Sequence, residues 1–269
     1  MELNLEGKRA LVTGSSSGIG VAIAEMLAAE GVSVVVNGRD SARVDAVAKR
    51  LADQGYRAAT ACGDLSTTEG CAAVAEAANA AFGGIDILVN NAGGSAVSDS
   101  PNWFAYDTDQ WVDTYQRNTL AAVRLIHAFA PEMKERGWGR IINISTAAAI
   151  TPTSGQADYG PAKAAMLNMS LGLSKALKQT GVTVNSVSPG MIRTEGLIKV
   201  LRKMAEKRGW GDDLAKAEDY IAKGGGQTVN RIGEVRDIGY AVVMLASPRS
   251  DFINGINFHV DGGLSPSLS

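Results

Sequence analysis

Cysteine and histidine are scarce in this chain, with two of each in 269 residues. Cys62 and Cys71 have no second thiol or histidine pair at a ligand spacing. Neither a metal centre nor a disulfide framework is expected, and both thiols are read as small buried hydrophobes. Charge of one sign is also missing. A formal net charge of −2 provides no positive field for nucleic acid or an anionic membrane, which leaves a small molecule as the expected partner. Long hydrophobic runs are absent near the N-terminus, where the only early apolar run, 10–12, is too short for a signal peptide or a membrane span. A cytoplasmic protein is expected. No repeat or low-complexity linker divides the chain, and 269 residues suit one open α/β domain, 1–269.

What the chain does have is alternation. Short β-branched runs at 9–13, 32–37, 58–61, 87–90, 140–144, 183–187 and 256–260 are separated by segments of helical periodicity. This pattern predicts a doubly wound Rossmann fold, a seven-stranded parallel sheet with helices on both faces. Helix starts are marked at Ser41 before Val44, Val47 and Leu51, at Thr67, and at Glu234 before Val235, Ile238 and Val242. A long helical stretch spans 111–136. One segment, 195–227, has charged helical pieces and glycines but no strand pattern. It reads as a mobile helical excursion that follows a strand and is placed to cover the crevice at the strand ends.

The first strand runs into Thr13-Gly14-Ser15-Ser16-Ser17-Gly18-Ile19-Gly20 and then into an apolar-periodic helix. Glycines let backbone approach a pyrophosphate, and the free amides and dipole at a helix start attract it. With Asn90-Asn91-Ala92-Gly93, Asn118, Tyr159-x-x-x-Lys163, Pro189-Gly190 and Val260-Asp261-Gly262-Gly263 in order, the chain resembles the short-chain dehydrogenase/reductase family along nearly its whole length, and in particular its 3-oxoacyl-acyl-carrier-protein-reductase-like members. The resemblance implies a nicotinamide cofactor cradled by Gly14, Ser16, Ser17, Gly18, Ile19 and Gly20, with Asn91, Ala92 and Gly93 alongside. It places Asp64 and Leu65 at the adenine, and Pro189, Gly190, Ile192 and Thr194 at the nicotinamide. Asp64 reads equally well as a turn or capping residue.

The cofactor's ribose is read after the second strand, where Asn37-Gly38-Arg39 has no acid to bond a free 2′-hydroxyl. Gly38 stands where NAD-preferring members carry aspartate, and Arg39 suits a phosphate. NADP(H) is therefore expected over NAD(H), unless Arg39 is a loop residue paired with Asp40.

A carbonyl reduced by hydride needs a proton donor and a group fixing its oxygen. Tyr159 and Lys163, four apart, share one helix face, so the ammonium is expected to lower the phenol's pKa. The family's serine lies thirteen residues before the tyrosine. Counting back selects Thr146, with Ser145 one residue earlier and facing the other way. The resemblance gives Asn118 a water in a proton relay, and the alternative is a polar residue at a helix kink.

The expected activity is NADPH-dependent reduction of a ketone or 3-oxoacyl-type substrate. Alternatives are an NAD-linked secondary alcohol dehydrogenase and a non-catalytic nucleotide sensor, the latter opposed by the intact Tyr159 and Lys163. Trp103, Phe104 and Tyr106, with Leu197, Leu201 and Met204, would wall a substrate with a hydrophobic part, or serve as ordinary core or subunit contacts. His127 and His259 are read as structural. The resemblance further implies a homotetramer or homodimer.

Overall fold

The structure, a computed structural model, describes residues 2–95, 103–152, 157–224 and 226–266. Seven parallel strands form one sheet: β1 Arg9–Val12, β2 Ser33–Gly38, β3 Ala58–Cys62, β4 Ile87–Asn90, β5 Gly139–Ile144, β6 Val182–Pro189 and β7 Asn257–Val260. Their spatial order is β3-β2-β1-β4-β5-β6-β7. The chain winds outward from β1 through β2 to β3, then returns to the other side of β1 with β4. That reversal leaves a crevice beyond the carboxyl ends of β1 and β4, the place where open α/β sheets bind ligands.

Strand residues alternate between two buried layers. Val12, Val34, Val36, Val89 and Ile142 pack on one face against helices α1 Gly18–Ala29, α2 Ser41–Asp53 and α9 Val235–Ala246. Leu11, Val35, Leu88 and Ile141 pack on the other, against α3 Thr68–Phe82, α5 Ala121–Glu135 and α6 Tyr159–Ala176. Sheets covered on both faces carry such nearly unbroken apolar strands. Truncating a fully buried residue such as Leu27 or Leu88 to alanine costs about 2–5 kcal/mol.

Local sequence sets the helix ends. Asp40, one residue before the expected Ser41, caps α2 by accepting from the Arg43 amide at 3.2 Å. Thr67 caps α3 in the same way through Gly70, and Gly83 ends it in the left-handed conformation. The long helix expected over 111–136 is broken: α4 Thr108–Tyr115 passes through a π-helical turn, Gln116–Leu120, into α5.

Residues after β6 form two helices, α7 Glu195–Lys207 and α8 Leu214–Gly224, closed around a small core of their own: Leu201, Ala205, Ala217 and Ile232. Leu201 thus belongs to this core and not to a substrate wall. The pair is pinned at its base, where the Thr228 and Val229 amides donate to the Gly262 carbonyl and Ile192 bridges Gly233. Among the described residues no helix is long and apolar enough to cross a membrane.

Candidate active site

The turn after β1 is built by side chains that lock neighbouring loops together. Thr13 Oγ1 accepts from the Asn91 and Ala92 amides, both at 2.9 Å, joining the exits of β1 and β4. Asn37 accepts from the Gly14 amide at 3.1 Å and donates to the Ala61 carbonyl at 2.8 Å, so this buried amide fixes the turn against β3. Gly14 itself has φ of 63°, a conformation in which a side chain is strained. At Gly20 a Cβ would overlap the Gly14 carbonyl oxygen and lie 2.7 Å from Asn91 Nδ2, so the helix can approach the turn only as glycine.

Ser17 starts α1 in an extended conformation without using its side chain as a cap, and the first turn of α1 has no acid. The helix dipole and open amides face a cleft of about 470 Å³ lined by Ser16, Gly18, Ile19, Leu65, Ala92 and Gly93, among others. This cradle fits a dinucleotide pyrophosphate, because the start of α1 faces it with no acid and no capping side chain, and glycines at 14 and 20 bring the helix start close to the turn.

The ribose end bears on the cofactor's phosphate. At Gly38 a Cβ would stand 2.7 Å from Ser16 Oγ and 3.0 Å from Val44 Cγ2, so an aspartate there would have to displace Ser16. Asp40 is taken up by capping α2 and forms no ion pair with Arg39 among the described residues. Exposed Arg39 and Arg43 instead flank a side recess with Ser16, Ser17 and Asp40. Arg43 escaped the sequence reading; its signal is a second arginine one helical turn after the first. Its guanidinium reaches Glu195, the first residue of α7, at 3.7 Å.

Asp64 accepts from the Ser66 amide at 3.0 Å, which serves its turn, and it lines the same cleft. Its pKa is lowered chiefly by that amide hydrogen bond, with the nearby Arg39 and Arg117 charges adding to it. Arg117 also lines the cleft and was missed from sequence.

The reacting end is a smaller recess of about 200 Å³, lined by Ser145, Thr146, Tyr159, Lys163, Pro189, Gly190, Ile192 and Thr194. Tyr159 opens α6 and Lys163 follows one turn later, with its ammonium 5.8 Å from the phenol ring centroid. Lys163 Nζ donates to the Ile144 carbonyl at 2.8 Å. Burial pushes the Lys163 pKa down to about 7 and desolvation pushes Tyr159 up to about 12. The lowering of the phenol by the ammonium expected from their spacing is therefore not the dominant effect: burial acts on both groups in the direction of their neutral forms.

The two hydroxyls after β5 separate clearly. Ser145, still bonded as strand through its amide to Val187, is buried and donates from Oγ to the Lys163 carbonyl at 3.2 Å. Thr146 is half-buried and its Oγ1 accepts from the Ala148 amide at 3.3 Å, so its own proton can be donated into the recess. Thr194 lines both cavities while capping α7 through the Leu197 amide.

Asn118 occupies the π turn. Its Oδ1 accepts from the Gly94 amide at 3.0 Å and its Nδ2 donates to the Gly94 and Thr114 carbonyls at 2.8 and 2.7 Å. The side-chain amide holds the β4 exit loop at the helix kink. At Gly93 a Cβ would overlap Asn118 Oδ1 and lie 3.1 Å from Lys163 Nζ, so this grip brings the loop against the lysine.

Several expected residues lie elsewhere. Trp103 and Phe104 sit on a short 3₁₀ turn with 53% and 87% exposure, while Tyr106 is buried. His127 is exposed on α5, and His259 lies on β7 beside Asn257. Cys71 is buried, but Cys62 is exposed, because β3 is an edge strand and its last residue faces outward.

A helix start shaped for pyrophosphate, merging at the reversal of strand order into a recess with a tyrosine and a lysine, defines a nicotinamide-dependent oxidoreductase of the Rossmann class. The chain belongs to the short-chain dehydrogenase family, whose model matches residues 8–205. It is 37% identical to the uncharacterized oxidoreductase YvaG of Bacillus subtilis, with all of both chains covered. It is 35% identical to the 3-oxoacyl-[acyl-carrier-protein] reductase FabG of Vibrio cholerae, covering 97% of this chain and 99% of that one. The solved L-sorbose reductase of Gluconobacter frateurii, complexed with NADPH and L-sorbose, matches all of both chains at a TM-score of 0.93 and 32% identity. The protein is thus an enzyme acting on carbonyl or alcohol groups.

Proposed function

We propose that the protein is an NADPH-dependent carbonyl reductase that converts a ketone to a secondary alcohol. The observation that carries this reading is the meeting of Thr146, Tyr159 and Lys163 in one recess beside the loop Pro189 to Thr194. When bound, the reduced nicotinamide supplies a hydride to the carbonyl carbon. Thr146 donates a hydrogen bond to the carbonyl oxygen and fixes it. Tyr159, which stays protonated far above neutral pH, gives its proton to that oxygen. Lys163 holds the ribose and, as ammonium, stabilises the phenolate left behind. Arg39 and Arg43 bind the 2′-phosphate, and Gly38 offers no carboxylate to a free 2′-hydroxyl.

Two substrate classes are supported by different relatives. The FabG likeness supports a 3-oxoacyl ketone, and the end-to-end likeness to L-sorbose reductase supports a polyhydroxylated ketone. Helices α7 and α8, which rise from the nicotinamide loop, cover the substrate in this reading. The test is oxidation of NADPH and NADH followed by absorbance across a panel holding both ketone types. A lower KM for NADPH and turnover on one class are expected; a marked preference for NADH would overturn the cofactor assignment. Tyr159→Phe is expected to abolish turnover while NADPH still binds, and retained turnover would remove the tyrosine from its role.

A further inference from the structure

Asp158 stands one residue before Tyr159 and is completely buried. Aspartate before a helix ordinarily caps it, yet this side chain makes no capping bond to α6. Its carboxylate instead faces sideways and gathers hydroxyls from two other elements. Ser95, in the loop leaving β4, donates to both oxygens at 2.9 and 3.1 Å, and Thr114, in α4, donates to Oδ2. The Thr114 carbonyl in turn receives the Asn118 amide, which grips Gly94 from the other side. The two residues after Gly93 are therefore held twice, Gly94 by Asn118 and Ser95 by Asp158, and both holds meet at Thr114.

We propose that Asp158 is a positioning residue, a clamp that fixes the β4 exit loop relative to the start of α6 and so sets the spacing between Tyr159, Lys163 and the ligand. The inference rests on Tyr159 being the proton donor. A carboxylate suits this place because it can accept from both hydroxyls at once, whereas a backbone cap would leave the loop unattached. Ser95 also lines the cofactor cleft, so slack in the clamp is felt on the ligand side as well as at the tyrosine. A misplacement of about 1 Å between reacting groups costs on the order of a hundredfold in rate.

The experiment compares Asp158→Ala, Ser95→Ala and the double variant by steady-state kinetics and by amide hydrogen exchange at Gly94. Each single variant is expected to lower kcat by about tenfold or more, since loosened geometry acts on the reacting step. NADPH KM should rise by less than kcat falls, Gly94 exchange should accelerate in both, and the double variant should be no worse than the poorer single, as for partners in one contact. Wild-type kcat and exchange in Ser95→Ala, or effects that multiply in the double variant, would overturn the clamp. If Asp158→Ala does not fold, Ser95→Ala decides alone, because it cuts the contact from its half-buried end. The exchange readout keeps the two ideas separate: an active Tyr159→Phe would defeat the proton-donor reading, while faster Gly94 exchange in Ser95→Ala would still report the clamp itself.

Discussion

Ser145 and Thr146 are neighbours at the end of β5, yet they are spent on different tasks. Both line the recess, but Ser145 Oγ donates its proton to the Lys163 carbonyl, while Thr146 Oγ1 accepts from the Ala148 amide and keeps its proton available for a ligand. Removing the Thr146 hydroxyl should therefore cost about 10²–10³ in kcat, the range for losing a donor to a developing oxyanion. Ser145→Ala should cost less than about tenfold in kcat and about 1 kcal/mol of stability through the lost hydrogen bond. Separate kinetics on the two variants check this, and equal kcat effects would reassign the role. Lys163 allows a second test. Its folded-state pKa, about 7 against 10.5 for the free side chain, means that the unfolded chain holds a proton across this window that the folded protein releases. Stability therefore rises with pH from about 7 upward, by at most about 1.4 kcal/mol per pH unit. Tyr159, raised from 10.0 to about 12, contributes stability that is lost only as pH climbs past 10, so it leaves the lower window clear. Denaturant titrations should show the wild type gaining on Lys163→Met between pH 7 and 10; parallel curves would mean that Lys163 does not titrate there.

The elements differ in how plainly the sequence announces them. All seven strands are legible within a residue or two, because β-branched runs such as Val34-Val35-Val36 have no competing reading when both faces are buried. The glycine motif after β1 is legible for a similar reason: at Gly20 a Cβ would meet the Gly14 and Ser15 backbone a few residues back, whereas the constraint at Gly38 comes from Ser16 on a separate loop. The kink at Asn118 is one of the two readings the sequence offers for that amide, but its π form is not legible, since the flanking apolar spacing continues through it and the amide's partner is the distant Gly94 backbone. Arg43 is hard to read because its one signal, an arginine four residues after Arg39, is weak in an exposed first turn. Cys62 misled because its residue type favours burial and only the edge position of β3 exposes it. The start of α2 yields a prediction at this scale. Arg43→Ala should raise the NADPH KM by roughly tenfold, the worth of one charge-assisted hydrogen bond, with the NADH KM unchanged. An equal rise for both cofactors would place Arg43 outside the phosphate site.

At the scale of the whole molecule, the sheet ends at β7 with one edge free of any strand partner among the described residues. Near it Phe252 is 99% exposed, and Tyr240 on α9 is 67% exposed. A free edge beside exposed aromatics is a surface that proteins usually cover. Light scattering should give a mass at a multiple of 28.0 kDa, with Phe252→Asp shifting it downward; a monomer in the wild type would contradict association. The pinned base of α7 and α8 has a consequence of another kind. The segment follows β6, which ends at Pro189, and is fastened again at Thr228 through Gly262, with its apolar residues packed on one another and on Met191 and Ile232 at its base. Such a piece can be exchanged as one cassette between relatives without repacking the strands. New substrate ranges are then reachable by swapping a single contiguous stretch of gene, provided that its Thr194–Glu195 end, which meets the cofactor cleft and Arg43, is kept.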